Sequence, residues 1–396
     1  MRFEFTEEEI MLRDQIRRLT REKIAPLSEK GEEIESPEIA RQMIKVIGEQ
    51  GACGLMVPEE YGGVGVSAVG LCIVREELSK VSSQADLLVA ELGLSSYGIT
   101  IAGSPHLKQK YLPQAAKGEV LGSFALTEPN AGSDVAAIST RALRDGDYYV
   151  LNGEKVYASA AGLADFYLIL AKTYPSKGRK GISAFVVDAG TPGVHISKME
   201  MMAGIPEYSI TLEDCKVPVE QLVGAEGDGW NIIFATLGTF RVTVGAAMLG
   251  LAQAAYEEAM KYAMHREAFG EPLSAFQATQ FKLADMAVEI EAARWLIYRA
   301  AHLRDEGSRL SAVSPTADSL KTFDRSHIKY VSMAKLFATE MACRVADQAV
   351  QIHGGSGVTR GVKVERLYRE ARMPRIYEGT SEIQRLTIFR ELAKEF

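Results

Sequence analysis

Cysteine is scarce in this chain. It has four among 396 residues, at positions 53, 72, 215 and 343, with no C-x-x-C pair. That excludes a disulfide scaffold and predicts reduced thiols and a cytoplasmic location. Histidine is also rare, at six residues. His265 and His353 have no His, Cys or Asp partner at ligand spacing, so no metal site is expected. An excess of positive charge is missing too. Lys and Arg number 45 against 52 Asp and Glu, a net of −7, which argues against a nucleic-acid-binding face. No apolar run is read as a membrane span, and the charged stretch from Met1 to Arg13 lacks the apolar segment of a signal peptide. Ser133 has no G-x-S-x-G context, so a hydrolase elbow is not supported. What remains is a core-forming composition, 47% apolar and 24% charged, long enough for two or three domains.

Periodicity divides the chain into three. Residues 1–119 read as a helical domain. Thr6 and Glu9 form a capping box, Ser36-Pro37 is an N-cap with a proline at N1, and Gly51 ends the second helix. Residues 120–228 read as an antiparallel β-domain, with turn signals at Asp145-Gly146, Asn152-Gly153 and Pro192-Gly193. Residues 229–396 read as a helix bundle, with helical spacing over 230–264, 274–305, 328–352 and 381–394 and a long loop between Gly307 and Arg325.

Three motifs lie between these patterns. Gly354-Gly355-x-Gly357 follows a helix rather than a strand, which favours a helix C-cap over a dinucleotide cradle. The cluster from Thr127 to Asp134 is a polar turn whose N–H groups and hydroxyls suit a polar ring or a phosphate. The segment from Tyr377 to Glu382 precedes the last helix. Ser381 with Gln384 reads as a capping box, and Glu378 falls outside it on a loop, where a carboxylate is either solvated or a general base.

Six segments in order resemble the acyl-CoA dehydrogenase family over nearly the whole chain. They are Pro58-Glu-Glu-Tyr-Gly-Gly63, Lys110-Tyr-Leu-Pro113, Leu126-Thr-Glu-Pro-Asn-Ala-Gly-Ser-Asp134, Arg266-Glu-Ala-Phe-Gly270 with Phe276-Gln277, Gln351-Ile-His-Gly-Gly355, and Ile376-Tyr-Glu-Gly-Thr-Ser-Glu-Ile-Gln-Arg385. The resemblance implies a mainly α fold: a helical N-terminal domain, a middle antiparallel β-domain and a C-terminal four-helix bundle. It implies a non-covalent FAD, an acyl-CoA substrate, an electron-transfer flavoprotein as electron acceptor and a homotetramer. It also implies that Glu378 removes the α-proton while the β-hydrogen leaves as hydride to flavin N5, with the thioester carbonyl held by the Glu378 N–H and a ribitol hydroxyl. FAD contacts carry over to Leu126, Thr127, Ser133, Tyr157 and Ser159, and to Thr380 and Glu382. Contacts reaching a neighbouring subunit's FAD carry over to Arg266, Phe269, Gln277, Gln351 and Gly355. Substrate contacts carry over to Ser133, Arg241, Tyr377 and Gly379.

The chain departs from the family at several points. Tyr157-Ala158-Ser159-Ala160 stands where the family has Trp-Ile-Thr-Asn. The arginine and threonine usual before Asp214-Cys215-Lys216-Val217-Pro218 are missing. A subgroup's alternative base position is Phe240 here, which leaves Glu378. Glu91 has Leu87, Leu88, Leu94 and Ser95 as helical neighbours. It is read either as turned to solvent or paired with a base, or as a second carboxylate facing the acyl group. The second reading resembles members that oxidise alicyclic acyl-CoAs, and implies a cyclohexane- or cyclohexene-carboxyl-CoA. A short or branched acyl-CoA is the alternative substrate. An acyl-CoA oxidase and a non-catalytic acyl-CoA-binding homologue are the alternative functions; the chain length argues against the first and Glu378 against the second.

Overall fold

Helix starts follow the caps read in the sequence. The structure is a computed structural model describing residues 4–30, 36–310 and 327–396. Thr6 and Glu9 exchange hydrogen bonds to open α1 (Glu7–Leu19), which continues through a π turn into α2 (Ala25–Lys30). The Ser36 hydroxyl accepts from the Ile39 N–H ahead of Pro37 in α3 (Pro37–Gly48). Three further helices complete the first domain: α4 (Ala68–Ser79), α5 (Ser83–Ala102) and α6 (Pro105–Ala116).

The middle segment forms one sheet from β1 (Gly122–Ala125), β2 (Arg141–Asp145), β3 (Tyr148–Lys155), β4 (Phe166–Lys172), β5 (Ile182–Asp188), β6 (Val194–Met199), β7 (Glu207–Pro218) and β8 (Leu222–Val223). The order is β6-β7-β3-β2-β4-β5-β8, with β1 beside β4. Most pairings are antiparallel; β1–β4 and β2–β4 are parallel. Asp145-Gly146 marks a hairpin as expected, since Asp145 pairs with Tyr148. Asn152-Gly153 does not. It lies inside β3, where the register with β7 shifts between Leu151 and Gly153, and Gly153 has φ 151°. A glycine within a strand here marks a bulge rather than a turn.

The last segment contains α7 (Gly229–His265), a small hairpin of β9 (Glu267–Ala268) and β10 (Glu271–Pro272), α8 (Gln277–Leu310), α9 (Ile328–His353), α10 (Lys363–Arg372) and α11 (Ser381–Leu392). Helix α10 goes unread in the sequence because charged residues mask a narrow apolar stripe of Val364, Leu367 and Ala371. Helix α8 runs on to Leu310; residues 311–325 of the expected loop lie outside the described residues.

The absence of a membrane-length apolar run needs correction. Helices α5 and α7 are both long and apolar enough by composition. They are apolar on every side because protein surrounds them, with 83% and 94% of the relevant windows buried. They also tie the molecule together. Ile232, Ile233, Leu237 and Phe240 of α7 belong to a core shared with α1–α6 and the inner faces of β4 and β5. Ala68, Val69, Cys72 and Ile73 of α4 belong to the core of the bundle. Asp305 of α8 caps α4 by accepting from the N–H groups of Ala68 (2.8 Å) and Val69 (3.0 Å). The apolar cores therefore cross the chain divisions at 119 and 229, and the loop carrying Glu378 sits where they meet.

Candidate active site

Glu378 lies in the short connection before α11 with φ 51°, and Gly379 follows at 95°. A left-handed glutamate is strained, so the loop must be held from outside. Three helices do so. Arg241 Nε of α7 donates to the Glu378 carbonyl at 3.0 Å. Lys335 Nζ of α9 donates to the Gly379 carbonyl at 2.8 Å. Gln384 Nε2 of α11 donates to both, at 3.3 and 2.9 Å. This corrects the expected capping box. Thr380 is the N-cap, its hydroxyl accepting from the Ile383 N–H at 3.3 Å, and Ser381 donates to Glu340 at 2.6 Å. Gln384 is thus left to hold the loop. A Cβ on Gly379 would sit 2.7 Å from Gln384 Nε2, so the close approach needs glycine.

Burial raises the Glu378 carboxyl above its ordinary range. Arg75, Lys335 and Arg241 pull it back, and Asp86 pushes it further. Its Oε2 is buried without a hydrogen-bond partner. A lone pair held out of water and unengaged is what a general base requires. Tyr377 beside it keeps 37% exposure, yet burial also pushes its hydroxyl up.

Sequence reasoning missed Arg75. Its guanidinium forms a bidentate pair with Asp86 at 2.7 and 2.9 Å and donates to Thr243 at 2.8 Å, with 2% of the residue exposed. Arg75 opens the run Arg75-Glu76-Glu77, which is wholly buried in α4. Glu91 of α5 is also interior, at 6% exposure. Its Oε2 accepts from the Phe124 N–H of β1 at 3.1 Å. Burial drives its carboxyl well above the ordinary range, with Phe124 opposing and Glu207, Glu378 and Arg75 within electrostatic reach. Among the described residues no cation forms an ion pair with Glu91 as close as 4 Å.

Leu126 and Thr127 follow β1 and are half-buried; Ser133 is exposed further along the same turn. An interior ion pair fixes this segment. Lys155 Nζ of β3 donates to Glu128 at 2.7 Å and to the Leu126 carbonyl at 3.2 Å, and the Thr140 N–H donates to Glu128 at 3.0 Å. Burial disfavours the Glu128 charge, but Lys155, Thr140 and Ser139 hold the carboxyl down to about 2. A lowered native value means that Glu128 stabilises the fold fully above the ordinary glutamate range, and this is lost as pH falls toward about 2. Glu128→Gln should remove that part of the acid-unfolding slope, measured by thermal melts between pH 3 and 6. An unchanged acid limb would show that the pair does not act as described.

The turn from Tyr157 to Ala160 adds two left-handed residues, Tyr157 at 56° and Ala160 at 58°. Tyr157 is 55% exposed, Ser159 is half-buried, and Ser123 Oγ donates to the Ser159 carbonyl at 2.7 Å. Thr380 is half-buried and Glu382 exposed at the start of α11.

The remaining expected residues gather elsewhere. Arg266 and Phe269 lie just past α7, Gln277 opens α8, and Gln351 and Gly355 flank the end of α9. Stacking of Tyr262 on His353, with centroids 4.2 Å apart, joins the α7 and α9 ends. Phe269 has φ 55° and is 98% exposed. Gly354 at φ 57° caps α9, in line with the C-cap reading, and Gly355 faces open space. At 1.5 Å per residue, α7 carries the chain about 36 Å from Arg241 to His265. This group is therefore remote from Glu378 within one chain.

Four of the five non-glycine residues with left-handed φ among the described residues, Tyr157, Ala160, Phe269 and Glu378, fall in these segments. Such strain concentrates at functional sites. The Val156 N–H donates to the Thr127 carbonyl at 2.9 Å, so Thr127 lies alongside the Tyr157–Ala160 turn, where Tyr157 is 55% exposed. The half-buried Glu378, with its Oε2 buried and unpartnered, lies on the third of these segments. Three domain profiles match: the acyl-CoA dehydrogenase N-terminal domain over residues 6–119, the middle domain over 123–215 and the C-terminal domain over 227–393. An acyl-CoA dehydrogenase of Bacillus subtilis is 40% identical over 391 residues, 98% of each chain. The cyclohex-1-ene-1-carbonyl-CoA dehydrogenase of Syntrophus aciditrophicus is 39% identical over 98% of this chain and 91% of that one. An acyl-CoA dehydrogenase of Bacillus anthracis solved with FAD superposes with TM-score 0.92 at 33% identity, covering 99% of this chain and 68% of the other. A chain solved in work on the electron transferring flavoprotein of Acidaminococcus fermentans gives 0.89 at 37% identity, covering 99% of both. The chain belongs to the acyl-CoA dehydrogenase family; it is an oxidoreductase acting on acyl-CoA, and its cofactor is FAD.

Proposed function

We propose that this enzyme oxidises the Cα–Cβ bond of a cyclic acyl-CoA, with Glu378 as the base and Glu91 facing the ring. The observation carrying this reading is the pair of interior carboxyls: Glu378 with an unengaged Oε2, and Glu91 buried within its electrostatic reach. Glu378 takes the α-proton at its free oxygen, and its backbone N–H holds the thioester carbonyl. Bound FAD supplies the two-electron acceptor. Leu126, Thr127, Ser133, Tyr157 and Ser159 would hold its ring side, with Thr380 and Glu382 toward the adenosine. Arg241 steadies the base loop beside the substrate, with Tyr377 and Gly379 as neighbours. Tyr157-Ala158 is smaller than the family's Trp-Ile, which leaves room for a ring. The Syntrophus relative named for a cyclic substrate favours the same class. Glu91→Gln should lower kcat/KM on cyclohexenecarboxyl-CoA at least about tenfold more than on butyryl-CoA. Equal losses on both, or activity on the straight chain alone, would favour a short- or branched-chain substrate.

The same reading includes a homotetramer, an electron-transfer flavoprotein as acceptor and a cytoplasmic setting. The separation of Arg266, Phe269, Gln277, Gln351 and Gly355 from Glu378 supports cofactor sharing between copies. So does an exposed apolar line on α8, Phe281, Val288 and Trp295, at seven-residue spacing. The Acidaminococcus neighbour supports the acceptor, and the four free thiols support the location. Arg266→Ala should weaken FAD retention and oligomer stability together, read by flavin absorbance and light scattering. A monomeric wild type with one FAD per chain would overturn the sharing.

A further inference from the structure

A third interior carboxyl, Glu207, is used by none of the steps above. It is the first residue of β7, paired in register with Met199 of β6, and is 6% exposed. Its Oε2 is buried without a hydrogen-bond partner. The Ser159 hydroxyl lies within its hydrogen-bonding reach. The backbone explains the juxtaposition: the Ala158 N–H donates to the Tyr208 carbonyl at 2.9 Å, so β7 begins alongside the Tyr157–Ala160 turn. The same turn is tied to β1 through Ser123, and β1 to Glu91 through the Phe124 N–H. A chain of contacts therefore runs from Glu91 through β1 and Ser159 to Glu207.

We propose that Glu207 is a positioning residue of the redox centre, orienting the Ser159 hydroxyl and forming with Glu91 a carboxyl pair whose protonation is coupled to electron arrival on the cofactor. This rests on the reading that FAD lies against Ser159. Glu207 lies within electrostatic reach of Glu91 and raises it, so ionising both carboxyls together is disfavoured. The groups within electrostatic reach of the pair are Arg75 of α4, and Tyr377 and Glu378 of the base loop. Arg75 favours the charge on Glu91 but is itself bonded to Asp86. When two electrons arrive nearby, the pair takes up one proton from solvent. One carboxylate O–H bond forms and the electrons remain on the cofactor. Burial raises Glu207 to about 7, so this uptake occurs in an accessible range.

The test is the midpoint potential of the FAD-loaded enzyme between pH 6 and 8.5, for wild type, Glu207→Gln and Ser159→Ala. In wild type the potential should fall more steeply with pH around 7 than at either end. Glu207→Gln should lose that extra slope. Ser159→Ala should shift the potential but keep the slope, because the carboxyl pair remains. If Glu207→Gln fails to fold, redox-difference infrared spectra of wild type should show a carboxylic C=O band gained on reduction, and its absence would overturn the proposal. Identical slopes in wild type and Glu207→Gln would overturn it also. Wild type purified without bound flavin would instead count against the cofactor reading itself.

Discussion

Glu378→Gln should retain FAD and acyl-CoA binding and lose about 10³- to 10⁴-fold in turnover. The amide keeps the size and the left-handed loop, which is held through its carbonyl by Arg241 and Gln384 rather than through the side chain. What it removes is the buried oxygen able to accept a proton. Because burial raises the wild-type carboxyl, kcat/KM should rise with pH through a value above the ordinary glutamate range. The variant's residual rate should lack that limb. Stopped-flow reduction of the flavin reads both effects. Near-normal reduction would remove Glu378 from its role.

Arg75→Met should destabilise the protein by about 3–5 kcal/mol, because it strands Asp86 as an unpaired interior charge. It also removes the cation that most strongly holds Glu378 down, so the surviving activity should need higher pH than wild type. Replacing both partners, Arg75→Met with Asp86→Leu, should recover most of the stability. Denaturant unfolding and pH–rate profiles separate the two consequences. A single variant as stable as wild type would mean that the pair is structurally dispensable.

Much of the fold was legible because its signals are local. Thr6 with Glu9 and Ser36 with Pro37 encode helix starts through contacts three residues apart. The strands of the middle domain alternate or run apolar between turn residues. Signals failed where tertiary contacts decide. Asn152-Gly153 has the chemistry of a tight turn, but pairing with β7 on one side and β2 on the other keeps β3 running and leaves a bulge. Ser381 with Gln384 has the spacing of a capping box, but Gln384 is drawn to the carbonyls of the base loop. Helix α10 hides under its charges.

The site was legible in the same uneven way. Glu378 and Thr127 sit in motifs whose residue types stand out along the chain, whereas Arg241 is reached only through the family resemblance. Arg75, Asp86, Lys335 and Glu207 sit in no such motif. Their partners are distant in sequence, and a charged residue in a helix or strand gives no local sign of burial. The run Arg75-Glu76-Glu77 is the nearest to a signal, since it sits within Leu71-Cys-Ile-Val74 and Leu78 on a helix with no polar side to spare.

Anaerobic titration of the FAD-loaded enzyme with acyl-CoAs decides most about this protein. Cyclohexane- and cyclohexenecarboxyl-CoA should bleach the flavin absorbance stoichiometrically and faster than butyryl-CoA, while Glu378→Gln should bind the same compounds without bleaching. A flavin that no acyl-CoA in a straight, branched and cyclic panel can bleach would contradict the assignment of α,β-dehydrogenation to this site.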